Sequence, residues 1–151
     1  MKKKFFFDLE ETVIESWDNP LLVNKTKVES FIHENNISEV SIFSAAIWDD
    51  NDKVVFERQL KPWIESVFDI KIIDWPSMTD VWDKTAWKGT QFENVTEMIS
   101  LVGKKRLFED WCKVHHRGLF CTLLDDSFDD EIIINHSKNV IIQVVNILTL
   151  K

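Results

Sequence analysis

The stretch Phe5-Phe6-Phe7-Asp8-Leu9-Glu10-Glu11-Thr12 runs three aromatic side chains straight into a carboxylate. A short, continuous apolar run of this kind suits a strand buried on both faces, as in a parallel sheet. The abrupt change at Asp8 puts a charged side chain where that strand stops. In an open α/β sheet, ligands bind in the crevice beyond the C-terminal ends of the strands. Asp8 is therefore the first candidate functional residue.

The same transition recurs along the chain. Glu39 to Phe43 reads as a second strand and ends at Ser44; Leu119 to Leu124 reads as another and stops at Asp125-Asp126. Ile70 to Ile73 is a further short strand, and 132–134 and 140–145 give the last extended pieces. Between them, helical spacing shows at Val28, Phe31 and Ile32, with Asn24 or Thr26 as the cap and Asn35-Asn36 as the stop. Asp49 to Asp52 is a turn or helix start. Val55, Phe56, Leu60, Ile64 and Val67 continue as helix, bent or restarted by Pro62. Phe92, Val95, Ile99 and Val102 share one face, Gly103 interrupts, and a helix through Leu107, Phe108, Trp111 and Val114 closes at Gly118. Strands alternating with helices predict an α/β fold, a Rossmann-like three-layer sandwich with a central, mostly parallel sheet. Residues 74–91 carry Trp75, Trp82 and Trp87 with Pro76 and Gly89 and no clean period, and read as a loop or small insertion in a single domain spanning 1–151.

Composition narrows the function classes. An apolar fraction of 44% in 151 residues allows a packed core. A net charge of −8 repels phosphate backbones and disfavours broad non-specific nucleic-acid binding. Cys112 and Cys121 lack metal-ligand spacing and read as buried free thiols. His33, His115, His116 and His136 form no zinc pattern, and no Gly-rich phosphate loop or Gly-x-Ser-x-Gly elbow occurs. The run after Lys2-Lys3-Lys4 breaks at Asp8, too short for a signal sequence, and no later stretch has the length of a membrane span. The expectation is a soluble, cytoplasmic protein with no membrane association.

If the strands ending at Asp8, Ser44 and Asp125-Asp126 are neighbours, their polar ends converge. Convergent carboxylates repel one another and are tolerated when a hard cation such as Mg²⁺ sits between them. In this order the residues resemble the haloacid-dehalogenase-like superfamily. Asp8-Leu9-Glu10-Glu11-Thr12 looks like its first motif, Asp-x-Asp-x-Thr. Ser44 resembles the second, Lys104 or Lys105 the third, and Asp125-Asp126 with Asp130 the fourth.

The resemblance implies a Mg²⁺-dependent phosphohydrolase. Asp8 would attack phosphorus and become an aspartyl-phosphate. Asp8, the Glu10 carbonyl and Asp126 would hold Mg²⁺, supported by Asp125 and Asp130. Ser44 and Thr12 would contact the phosphoryl group, and Lys104 or Lys105 would neutralise charge on it. Glu10 stands where the family has an aspartate acting as general acid and base. Its extra methylene displaces the carboxyl by about an ångström, a shift that can cost on the order of 100-fold in rate.

Residues 15–23 are long enough for a flap but not a cap domain, which implies a capless member with an open site. Such a site suits a nucleotide or a phosphorylated polymer end. The alternative is a catalytically weak or inactive protein of the same fold that acts as a binding module. In that reading the tryptophans of 74–91 meet a protein partner or a second copy.

Overall fold

The computed structural model describes residues 1–150. Its centre is a six-stranded sheet. The strands are β1 (Lys2–Phe7), β2 (Glu39–Ile42), β3 (Lys71–Asp74), β4 (Leu119–Asp125), β5 (Glu131–Asn135) and β6 (Val140–Asn146). Their order across the sheet is β3-β2-β1-β4-β6-β5, with every neighbouring pair parallel except β5 with β6.

Alternation along β1 divides the core. Phe7 faces one apolar cluster and Phe6 the other. On the Phe7 side lie α1 (Lys25–Glu34), contributing Val28 and Phe31, α3 (Lys61–Phe68), contributing Ile64 and Phe68, and the π-helical continuation of α2 (Asp50–Val55), contributing Phe56. On the Phe6 side lie α4 (Met78–Lys84), α5 (Val95–Val102) and α6 (Lys104–His115), contributing Met78, Val81, Met98, Leu107, Phe108 and Trp111. The expected three-layer α/β sandwich is therefore present. Phe6, fully buried, meets the Phe108 ring edge-on at 4.9 Å; truncating such a residue to alanine typically costs about 3–5 kcal/mol. Cys112 and Cys121 are buried free thiols in this layer.

Pro62 sits in the first turn of α3, directly after a π-helical stretch, Phe56–Leu60. Proline cannot donate to the preceding turn and its ring crowds the carbonyl four residues back. The wider turn makes room for it.

One expectation needs correction. The 74–91 segment is not an insertion throughout. Asp74 ends β3, and 78–84 form α4, which packs its Met78 and Val81 into the core. A helix under two turns shows no hydrophobic period, but its capping box was legible: Ser77 accepts from the Asp80 amide and the Asp80 carboxylate accepts from the Ser77 amide, each at 3.0 Å. No helix crosses between β4 and β6, where only extended pieces were expected. Residues 126–130 and 136–139 are turns too short for a parallel crossover, so the chain descends in β5 and returns in β6. On the α1 side of the sheet, Leu124 of β4 is buried in the core, whereas Ile132 and Ile134 of β5 are exposed. No described helix is long and apolar enough to cross a membrane.

Candidate active site at the β1/β4 switch point

The chain proceeds from β1 outward through β2 to β3 and then returns to place β4 on the other side of β1. The adjacent ends of β1 and β4 are thus the topological switch point, where doubly wound sheets hold ligands. The Asp8 amide donates to the Leu124 carbonyl at 3.0 Å, fixing the Asp8 and Asp125 carboxylates side by side.

Asp8 is 6% and Asp125 0% exposed. Lys104 lies against both, its Nζ 2.7 Å from Asp8 Oδ1 and 2.5 Å from Asp125 Oδ2. Lys104 is the first residue of α6, immediately after Gly103. Gly103 has φ +87, a backbone region costly for any residue with a Cβ. A cation at a helix N-terminus opposes the helix dipole; here the two carboxylates offset that cost.

Each carboxylate is also held from its own loop. Thr12 Oγ1, buried, donates to Asp8 Oδ2 at 3.4 Å. The Ser127 amide donates to Asp125 Oδ1 at 2.8 Å, and Ser127 Oγ to Asp126 Oδ1 at 3.3 Å. One carboxylate oxygen from each of Asp8, Asp125 and Asp126 lies within 4.8 Å of the others.

The charges do not balance. Burial pushes the Asp8 carboxyl up to about 6; Lys104 opposes the shift and Asp125 adds to it. Burial likewise raises Asp126, with a hydrogen bond to Glu11 and the Asp125 charge contributing. Burial alone would lower the Lys104 ammonium, but Asp8 and Asp125 together hold it above its usual range. One cation faces three carboxylates, and the Asp8 and Asp126 carboxyls both lie above their ordinary range.

Other expected site residues lie elsewhere or bond differently. Lys105 points outward and pairs with Glu131, so Lys104 is the lysine that meets Asp8. The Asp130 Oδ1 atom accepts from the Asn146 amide at 2.7 Å, tying the start of β5 to the end of β6; Asp130 stands outside the carboxylate group. Ser44 is buried, and its Oγ accepts from the Ala46 amide at 3.2 Å. The Glu10 carboxylate accepts from the Trp17 amide at 2.7 Å.

That last contact anchors a flap. Ile14 bridges antiparallel to Leu22, and the Val23 amide returns to the Val13 carbonyl at 3.0 Å. Asn24, in the left-handed region at φ 52, donates through Nδ2 to the carbonyls of Glu11 and Thr12. It occupies the N-cap of α1 without capping it through its side chain. Sequence reasoning missed Ser127, Glu11 and Asn24. Ser127 had a signal: Asp-x-Ser after a strand commonly turns the chain through a carboxylate-to-amide bond. The three tryptophans are half-buried: Trp75 packs near Phe56 at 5.8 Å, Trp87 donates to Asp110 Oδ2 at 2.7 Å, and Trp82 lies against the α4–α6 layer.

No family model, curated protein or solved structure matches this chain.

Proposed function

We propose that the chain is a Mg²⁺-dependent phosphohydrolase that works through an aspartyl-phosphate on Asp8, in the manner of the haloacid-dehalogenase-like superfamily. The observation that carries the reading is the Lys104 ammonium bridging Asp8 and Asp125 at the switch point, beside a third carboxylate, Asp126.

The donor set fits the cation. Three carboxylates within 4.8 Å are hard oxygen ligands of the type Mg²⁺ takes, and their unbalanced charge is what a divalent ion relieves. Asp8, Asp125 and Asp126 would hold it, and it would supply charge neutralisation at the phosphoryl oxygens.

The protein's own steps follow. An Asp8 carboxylate oxygen forms a bond to phosphorus as the bond from phosphorus to the ester oxygen breaks, and the leaving oxygen takes a proton from solvent, which the attacking water returns in the next step. Water then attacks the same phosphorus, the bond to Asp8 breaks, and phosphate leaves with the carboxylate restored. Lys104 fixes the Asp8 carboxylate and neutralises charge building on the phosphoryl group, a role for which position matters more than covalent chemistry. The Thr12 hydroxyl orients Asp8 from its other oxygen. The 14–22 flap is too short for a cap domain, and an open site suits a nucleotide or a phosphorylated polymer end.

A second reading rests on Glu10. A general acid must reach the leaving oxygen, whereas the Glu10 carboxylate is engaged by the Trp17 amide. In that reading the site binds a cation and a phosphorylated ligand with little or no turnover.

The test is Mg²⁺-dependent hydrolysis of an activated aryl phosphate by wild type and Asp8→Asn. Turnover that falls to background in Asp8→Asn supports the phosphohydrolase; full-rate turnover in the variant overturns it. Absence of turnover in the wild type across a panel of phosphate esters supports the second reading.

A further inference from the structure

Strand β5 ends the sheet, and its free edge carries no lysine, proline or bulge. Glu131-Ile132-Ile133-Ile134-Asn135 contains no lysine and no proline, and it pairs with β6 in unbroken register from Glu131 to Asn135. Edge strands are commonly blunted by lysine, proline or a bulge, because unpaired amides and carbonyls are a template for another strand. Here Ile132 and Ile134 are also 58% and 57% exposed. They stand on the α1 side of the sheet, beside Gln143 and Ile141 of β6.

We infer that β5 pairs antiparallel with β5 of a second copy of this chain, about a two-fold axis at Ile133, joining the two sheets edge to edge. Opposed residues in an antiparallel pair share a face of the sheet, so a two-fold contact sets Ile132 against Ile134 of the second copy and Ile134 against its Ile132. These cross-strand isoleucine pairs are the unit that stabilises such a contact. The contact is isologous and therefore closes at two copies.

Charge complementarity favours a second copy as the occupant, and the paired isoleucines favour the register. With the axis at Ile133, Glu131 meets Asn135 of the second copy, and the acidic approach Asp129-Asp130 comes alongside its His136-Ser137-Lys138 turn. Moving the axis to Glu131 would set two glutamates face to face and Asp130 against Ile132. Moving it to Asn135 would set Ile132 against Lys138 and lose the isoleucine pairs. One strand thus carries both halves of a complementary edge, acidic at its start and basic beyond its end. Trp75, Trp82 and Trp87 are not needed for this contact, since they pack inward in other parts of the fold.

The test is the solution mass by light scattering, with a cross-linking arm. Wild type is expected at twice the 17.9 kDa of one chain, and Ile132→Lys/Ile134→Lys at the mass of one chain with an unchanged circular dichroism spectrum. Separately, Ile132→Cys and Ile134→Cys are purified and oxidised alone and mixed. The register predicts a disulfide-linked pair in the mixture that far exceeds either variant alone. A wild-type mass of one chain across its soluble range would overturn the inference. So would a dimer that persists in the double lysine variant, or cross-linking no better in the mixture than in either variant alone.

Discussion

The Asp8 amide donates to the Leu124 carbonyl at 3.0 Å, extending the β1–β4 pairing by one residue beyond Phe7 and Leu124. That bond sets the Asp8 carboxylate next to Asp125 at the place where the sheet's connections reverse direction. Two buried like charges in contact are unfavourable, and the local chemistry, from Lys104 to the raised Asp8 carboxyl, answers that repulsion.

Lys104→Met leaves Asp8 and Asp125 buried without their cation. Removing one partner of a buried charge pair costs about 3–5 kcal/mol, so the metal-free variant should melt roughly 10 °C lower at neutral pH. Asp8→Asn added to Lys104→Met should recover part of the loss, because one of the two stranded charges is gone. Thermal melts followed by circular dichroism read both effects, and an unchanged midpoint in Lys104→Met would contradict the arrangement.

The Asp8 carboxyl gives a pH signature with a definite sign. Its value rises from 3.8 to about 6 in the folded protein, so the folded state holds a proton that the unfolded chain has released. Stability from this group is present below about 4 and falls as pH rises towards about 6, by on the order of 3 kcal/mol. Subtracting Asp8→Asn removes the contributions of other groups. In metal-free protein, wild-type stability relative to Asp8→Asn should drop between pH 4 and 7 in urea titrations; a difference independent of pH would count against the buried, charge-crowded Asp8.

Mg²⁺ bound at Asp8, as proposed, would compete with that proton. Its stabilisation of the fold should therefore grow as pH rises through about 6, reaching about 2.7 kcal/mol at 100 times the dissociation constant. Asp125→Asn should abolish the Mg²⁺-induced rise in melting temperature. Asp130→Asn and Lys105→Ala should leave it intact, since the Asp130 carboxylate caps the Asn146 amide and Lys105 pairs with Glu131. Equal loss in Asp125→Asn and Asp130→Asn would mean that the cation is held elsewhere.

Glu10→Asp separates anchoring from acid chemistry. The shorter side chain should lose the Trp17 amide, so hydrogen exchange at Trp17 should speed up. If carboxylate position limits the rate, turnover should rise by about tenfold or more, within the range such displacements can cost. Glu10→Ala should show the faster exchange without the gain in rate. Unaltered exchange at Trp17 in both variants would remove Glu10 from its role in the flap.

The parts of the site that sequence revealed are those where hydropathy changes abruptly. Asp8 and Asp125 each follow a buried apolar strand, and a carboxylate in that position can only lie at the sheet's edge crevice. Lys104 and Lys105 were indistinguishable because adjacent helical residues differ only in direction, by about 100° around the axis; the position of Gly103 and the register of α6 decide between them. The resemblance implies Asp130 as support for the cation, but a carboxylate in a turn equally satisfies a backbone amide, as it does here for Asn146. The missing crossover helix was implied by the brevity of 126–130. The role of Glu10 was hidden, because nothing in its neighbours announces a bond to an amide seven residues on.

The most direct test of the central claim is a crystal grown with Mg²⁺ and soaked in beryllium fluoride, a mimic of a phosphoryl group on a carboxylate. The account predicts a trifluoroberyllate joined to an Asp8 carboxylate oxygen, Lys104 within hydrogen-bond distance of it, and Mg²⁺ bound between Asp8 and the Asp125-Asp126 pair. Trifluoroberyllate on another residue, or an unmodified Asp8 still paired with Lys104 in well-ordered density, would contradict it.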